Sequence, residues 1–259
     1  GIIRRTSTFV LPEINIANVY VETTFDQEYE NAVLKVFLEV VNEGSEQVKD
    51  VSVNICLNGN DKNGEPVNIN PANFMIADVI NAGRHIYKEI DIPVKSPLQW
   101  NAESPNLYKL DCTLKQGDHA LQTIENRIGF RQLVISGNKV LLNGKVIRLR
   151  GISRQDSHPL YGRTVPDNVH ETDMELAKQA NVNNVYTCAF SPDEKVIELA
   201  DEKGMYMFEE PGTCWIGWWT GDRDNVSYHM QQKGLSSISD PKMYLEFLRP
   251  VIEMIQRSR

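Results

Sequence analysis

Residues 128–162 read IGFRQLVISGNKVLLNGKVIRLRGISRQDSHPLYG, and the order of elements within this stretch decides the fold. It holds the tripeptide Gly129-Phe130-Arg131, a short hairpin ending in Leu142-Asn143-Gly144-Lys145, and the run VIRLRGIS from Val146 to Ser153. That run reads as a buried strand feeding a polar loop. Everything before the stretch reads as β, and everything after it as alternating β and α.

Upstream, the chain repeats short strands: INIANVYVETTF from Ile14, AVLKVFLEVVN from Ala32, VKDVSVNICLNG from Val48, a weaker NFMIAD, RHIYKEIDI, NLYKLDCTLK and LQTIENRIGF. Leu34, Val36, Leu38 and Val40 alternate with Lys35 and Glu39, so one face of that strand is apolar and the other polar. About seven such strands, separated by turn residues such as those at 42–45 and 58–64, predict a β-sandwich.

Downstream of Gly129 the period changes. A helix is expected over 167–181, with Val169, Leu176, Ala177 and Ala180 as its apolar stripe. NNVYTCAF is a second strand. SPDEKVIELADEKG is a second helix, with Ser191 as N-cap, Pro192 in the first turn, Glu194 closing a capping box and Gly204 as the stop. MYMFEE is a third strand, followed by a long loop to Ser239 and a helix from Asp240-Pro241 to the end. Three strand-helix units in succession are what a parallel (β/α) barrel requires.

Composition narrows the partners. A formal charge of −8 disfavours a nucleic acid or an anionic membrane, because both are bound by cationic side chains that neutralise phosphates. No window approaches the roughly 20 apolar residues of a membrane span, and GIIRRTSTF lacks the apolar run of a signal peptide. The compartment stays open between a bacterial periplasm and cytoplasm. Cysteines 56, 112, 188 and 214 show no zinc spacing. Cys56 and Cys112 have the separation of an antibody-domain disulfide, but parity sends Cys56 outward and Cys112 inward, which argues against a bond.

The Gly-Phe-Arg, the Leu-Asn-Gly-Lys and the segment Arg150 to Asp156 together resemble the junction in family 2 glycoside hydrolases, the β-galactosidase and β-glucuronidase group. There an immunoglobulin-like sandwich hands over to a (β/α)8 TIM barrel. LQWNAESPNLY is similar to a second family motif, with Gln99 inserted before Trp100, and Trp100 is expected to pack rather than bind. The resemblance implies a multi-domain β plus α/β chain: 1–13 as the tail of a sugar-binding jelly roll, 14–130 as the sandwich, and 131–259 as the first part of the barrel, about three units. EMIQRSR is similar to the stretch preceding the family's fourth barrel strand, so the chain is expected to be a fragment.

The resemblance also implies the chemistry. Family members are retaining glycosidases with an acid/base Glu after the fourth strand and a nucleophile Glu after the seventh, and neither position falls in this sequence. The chain alone is therefore expected to be inactive, with no catalytic carboxylate and no cofactor, and the parent to act on a terminal β-linked sugar. Glu209 and Glu210 are adjacent, so alternation sends them to opposite faces and denies them a shared bond. Glu210 matches a cleft-floor Glu, for which an ion pair with Arg150 or Arg154 competes with a role in binding. At the family's Asn-Arg-His-Glu this chain has Ser153, Arg154, Gln155 and Asp156; glutamine can still hydrogen-bond a hydroxyl but cannot titrate.

Substrate-binding candidates are therefore Arg154, Gln155, Asp156, His158, Glu210 and Trp215. His158 reads equally as a loop histidine, and Trp215, Trp218 and Trp219 as closing the barrel top or stacking on sugars. The family's Arg-Thr-Ser-His-Tyr-Pro is replaced from Tyr186 to Pro192, removing an Arg and a His from the cleft. Where some β-galactosidases hold magnesium through Glu and His, this chain has Cys214 and Ile216, poor donors for a hard cation, so no metal is expected. The competing class is a non-catalytic scaffold or carbohydrate-binding module. A partial barrel also leaves open edges, from which a homo-oligomer is expected.

Overall fold

The structure is a computed structural model that describes residues 6–61, 63–67, 69–188, 190–212 and 241–258. The chain divides into two compact units, one ending at Arg148 and the other beginning at Leu149. The first is an immunoglobulin-like sandwich of β1 (Ile14–Phe25), β2 (Ala32–Asn42), β3 (Val48–Asn58), β4 (Ile69–Ile80), β5 (His85–Val94), β6 (Tyr108–Gln116) and β7 (His119–Ile128). One antiparallel sheet runs β1-β2-β5, and the other β4-β3-β6-β7.

Alternation sets the core. Leu34, Val36, Leu38 and Val40 of β2 meet Val51, Val53, Ile55 and Leu57 of β3 and Leu110 and Leu114 of β6 in one buried cluster. Removing each such aliphatic side chain from water stabilises the fold by about 1.5–3 kcal/mol before chain entropy is counted. Ile55 pairs with Cys112 and Cys56 with Asp111, so the two cysteines lie on neighbouring strands of one sheet. Cys112 is buried and Cys56 half-buried, and both thiols are free. Burial pushes the Cys112 thiol up to about 12, as for an apolar core residue.

The decisive stretch closes this unit. Trp100 N–H donates to the Phe130 carbonyl at 2.8 Å, and Arg131 N–H to Thr23 Oγ1 at 3.0 Å. The Arg131 guanidinium lies over the Trp100 ring, 5.3 Å from its centroid. Gly129 is required because a Cβ there would sit 2.7 Å from Trp100 Cβ. Trp100 is itself buried, consistent with its packing assignment.

Three short strands follow, β8 (Leu133–Ser136), β9 (Lys139–Leu142) and β10 (Lys145–Val146), in an antiparallel sheet. Asn143 and Gly144 have φ of 49° and 75°, the pair of positive values a two-residue type I′ hairpin demands. Asn143 then uses its side chain twice, accepting from Gln132 N–H at 2.8 Å and donating to the Trp100 carbonyl at 3.2 Å.

The run VIRLRGIS is not one buried strand. Val146 ends β10, residues 147–150 have no regular structure, and β11 is Gly151–Arg154, with Gly151, Ile152 and Ser153 exposed. Its apolar residues are divided among β10, the irregular segment 147–150 and β11.

The second unit is the first part of a TIM barrel. It holds β11, α1 (Asp167–Gln179), β12 (Asn184–Thr187), α2 (Glu194–Lys203), β13 (Tyr206–Phe208) and α3 (Pro241–Ser258). The strands are parallel, in the order β11-β12-β13. Met174 and Ala177 of α1, Val196, Leu199 and Ala200 of α2, and Val185 and Met205 form its core. The buried stripe of α1 is His170, Met174 and Ala177; of the expected Val169, Leu176, Ala177 and Ala180 only Ala177 is buried, and Leu176 is exposed. On α2, Gly204 is the left-handed stop at φ 68°, but the N-cap is Asp193, whose carboxylate accepts Lys195 N–H, not Ser191. Both residue types cap well, and the tertiary contact described next selects between them.

Candidate functional site

The site is assembled at the carboxyl ends of β11 and β12, the end at which barrel folds carry chemistry. Register places Ser153 beside Tyr186 and Arg154 beside Thr187. The strands continue into a pocket lined by Arg154, Gln155 and Asp156 on one side and Thr187, Cys188 and Phe190 on the other. Arg163 stands over the Phe190 ring at 3.8 Å, a cation-π contact that walls the pocket with charge on an apolar support.

Strand parity divides the side chains. Val185 and Met207, at one register position, pack on the helix side. One position further on, Tyr186 and Phe208 share the opposite face, where they are 42% and 51% exposed. Arg154 follows the helix side. Its Nε and Nη2 donate to Asp173 Oδ2 at 3.2 and 2.9 Å, Nη2 lies 2.8 Å from His170 Nδ1, and Nη1 donates to Asp156 Oδ1. Asp156 is buried, and its Oδ2 accepts the backbone N–H of Asp193 at 2.8 Å. An anion there suits the positive end of α2.

Of the expected substrate contacts, the pocket brings together Arg154, Gln155 and Asp156, and only Gln155 is exposed. Arg154 and Asp156 join β11 to both helices. His158 closes a tight loop: its backbone exchanges hydrogen bonds with Gly162 at 2.8 and 2.9 Å, and its Nδ1 accepts Leu160 N–H at 3.2 Å. Its ring stacks on Tyr161. Glu210 is not among the pocket's lining residues, and its N–H donates to Thr187 Oγ1 at 2.9 Å. The suggested Arg154–Glu210 pair is replaced by the Arg154 contacts above, while Arg150 Nε donates to the Asn181 carbonyl. β13 stops at Phe208, so Glu209 and Glu210 follow the strand rather than belonging to it, and Glu209 pairs with Arg257. Trp215, Trp218, Trp219, Cys214 and Ile216 lie outside the described residues.

Sequence reasoning missed His170 and Asp173. The available signal was the i, i+4, i+7 spacing of His170, Met174 and Ala177, which a search for hydrophobic residues alone passes over. His170 is fully buried; desolvation, with the Arg154 charge, holds it below the ordinary imidazole value against the pull of Asp156, Asp193 and Asp167. Among the described residues, no group of three or more His, Cys, Asp or Glu is placed to hold a metal ion.

A sandwich followed by parallel strand-helix units, with a polar pocket at the strand ends, is the architecture of an immunoglobulin-like domain joined to the first part of a TIM barrel. The family described as "Glycosyl hydrolases family 2" matches residues 14–131, and "Glycosyl hydrolases family 2, TIM barrel domain" matches residues 133–259. The chain belongs to glycoside hydrolase family 2. It is 32% identical to a β-galactosidase of Priestia megaterium over 228 residues, covering 85% of this chain and 21% of the relative. It is 28% identical to a β-galactosidase of Erwinia tasmaniensis over 267 residues, covering 100% and 24%. Among solved structures, a β-galacturonidase of this family from Eisenbergiella tayi, bound to galacturonate, matches at 26% identity and a TM-score of 0.66, covering 77% of this chain and 33% of that one. A β-glucuronidase of Bacteroides uniformis shares the fold at 24% identity and a TM-score of 0.66, with 77% and 24% covered. The chain thus spans about a fifth to a quarter of the length of these curated relatives.

Proposed function

We propose that this chain supplies the immunoglobulin-like domain and the first barrel units of a retaining glycosidase that hydrolyses terminal β-linked sugars, galactoside- or glucuronide-like, in carbohydrate metabolism. The observation that carries this reading is the pocket at the carboxyl ends of β11 and β12, on a chain whose relatives include β-galactosidases. Retaining hydrolysis uses two carboxyl groups about 5–5.5 Å apart, one as acid and base and one as nucleophile. The family's positions for both fall beyond the third strand. Glu209 is paired with Arg257, and neither Glu209 nor Glu210 lines the pocket, which supports neither as a substitute. The chain alone is therefore inactive, and its share of the site is to floor and orient.

The test is turnover of chromogenic β-galactosides, β-glucuronides and β-mannosides by this chain, beside the Priestia megaterium β-galactosidase. We expect release of chromophore by the relative and none by the chain. Turnover by the chain would sink the assignment of the carboxylates to later strands.

A second reading, a non-catalytic carbohydrate-binding or scaffold module, draws on the segment from Tyr186 to Pro192, which lacks the cleft Arg and His of the family. Retention of the chain on a glycan array, together with a coding sequence that has no Glu after the fourth and seventh strands, would favour it. In both readings the partner is a neutral or uronic sugar, not nucleic acid or a membrane surface.

Self-association through the open barrel edge is part of the proposal. Tyr186 and Phe208 are exposed on one face of the three-stranded sheet, whose β11 and β13 pair with no further strand among the described residues, and such apolar surface beside a strand edge favours pairing with a second copy. Sedimentation velocity should show dimers or larger species that increase with concentration, and Tyr186→Asp should reduce them. A wild-type chain that stays monomeric throughout would refute this.

A further inference from the structure

One fully buried histidine fastens α1 to the strand-end loop. His170 lies in the first turn of α1 with its Nδ1 2.8 Å from Arg154 Nη2. Among the described residues its Nε2 has no hydrogen-bond partner. A guanidinium only donates, so Nδ1 presents its lone pair and the ring is neutral, with its hydrogen on Nε2. The same guanidinium holds Asp156, whose other oxygen takes the Asp193 N–H at the start of α2. A neutral imidazole is therefore one link in a chain from α1 through β11 to α2.

Protonating His170 would place an N–H where the lone pair stood, facing another donor, and a second positive charge beside the guanidinium without water to screen it. The charged groups around the ring are Arg154 on β11, Asp156 on the following loop, Asp193 at the start of α2, and Asp167 and Asp173 on α1. The acids favour an imidazolium, but Asp156 and Asp173 are already paired with Arg154.

The geometry points to the His170–Arg154 contact as a pH-sensitive latch: neutral His170 holds the loop 155–162 against α1, and its protonation releases that loop. The ring's protonation is disfavoured in the folded chain relative to the unfolded one. The contribution is accordingly complete above the unfolded imidazole value, about 6.5, and is lost as pH falls from there through the lower folded value. The latch does not depend on which sugar binds, or on whether one does.

Site-resolved histidine C2-proton exchange on the whole chain, with backbone amide exchange at about pH 7.5 and about pH 5.5, tests it. His170 should titrate below the ordinary imidazole value. Amide exchange over 155–162, corrected for intrinsic rates, should rise at least about threefold at the lower pH while β2 and β6 stay unchanged. His170→Asn, which keeps an acceptor oxygen near the Nδ1 position but cannot titrate, should abolish the rise. If that variant does not fold, the wild-type midpoints decide: loop release coinciding with His170 titration supports the latch. No release, release following another histidine, or release undiminished in His170→Asn overturns it.

Discussion

Truncation of Arg154 to alanine lowers the stability of the β11–β13 unit by about 3–5 kcal/mol, the cost of leaving a buried charge without its partner. The side chains of Arg154 and Asp156 are 10% and 6% exposed, so water cannot replace the lost contact. The second partner, Asp173, is 45% exposed and contributes little by itself. The loss arises from Asp156, from the His170 acceptor left unpaired, and from the join between strand and helices. Arg154→Lys should recover only part of it, because one ammonium cannot reproduce a planar fork that meets three groups. Urea unfolding followed by helical ellipticity reads this unit, since α1, α2 and α3 all belong to it. A change within about 0.5 kcal/mol would mean that Arg154 faces solvent or substrate instead.

Phe130→Ala is the corresponding experiment in the sandwich, with an expected loss of about 3–5 kcal/mol. Phe130 is fully buried and meets Tyr108 edge to face, with centroids 5.0 Å apart at 87°. Tyr108 in turn accepts Leu98 N–H and donates to the Asn60 carbonyl, tying two loops to the same aromatic pair. Removing the ring leaves a cavity in a cluster held on the other side by the Trp100 backbone. Phe130→Leu should restore most of the loss, because it refills much of the volume. The measurement is amide exchange of β3 and β6, the central strands of the larger sheet. Protection lowered by less than about 1 kcal/mol would show that the cavity collapses and that the pair is not a keystone.

Much of the architecture is legible in the residues because it rests on local rules. The alternation in β2 and β3 largely survives folding: Leu34, Val36, Leu38 and Val40 and Val51, Val53, Ile55 and Leu57 are buried, and Lys35, Glu39 and Asn54 between them are less so, with Ser52 the buried exception. Asn143-Gly144 makes the turn its residue types favour, and Gly204 ends α2. Gly129-Phe130-Arg131 marks the end of the sandwich because each residue has a separate duty there: absence of a side chain against Trp100, burial on Tyr108, and a cation over an indole.

The candidate site was less legible. Arg154, Gln155 and Asp156 lie together where expected, but a four-residue strand has too few positions for parity to show which face is covered. VIRLRGIS illustrates the same weakness, since an apolar run does not reveal where one strand stops and another begins. α1 carries apolar residues on two faces, and its packing against α2 and β12 buries the face that includes a histidine.

The sequence by itself determined the strands of the sandwich, the helices α1 and α2, the Asn143-Gly144 turn and the family to which they belong, because each shows in a pattern close along the chain or in motifs at set spacing. Only the tertiary structure decided that Arg154 faces α1, that Asp193 rather than Ser191 caps α2, and that His170 is buried against a guanidinium. Those outcomes depend on residues 16 to 37 positions apart meeting in space, which no local pattern encodes.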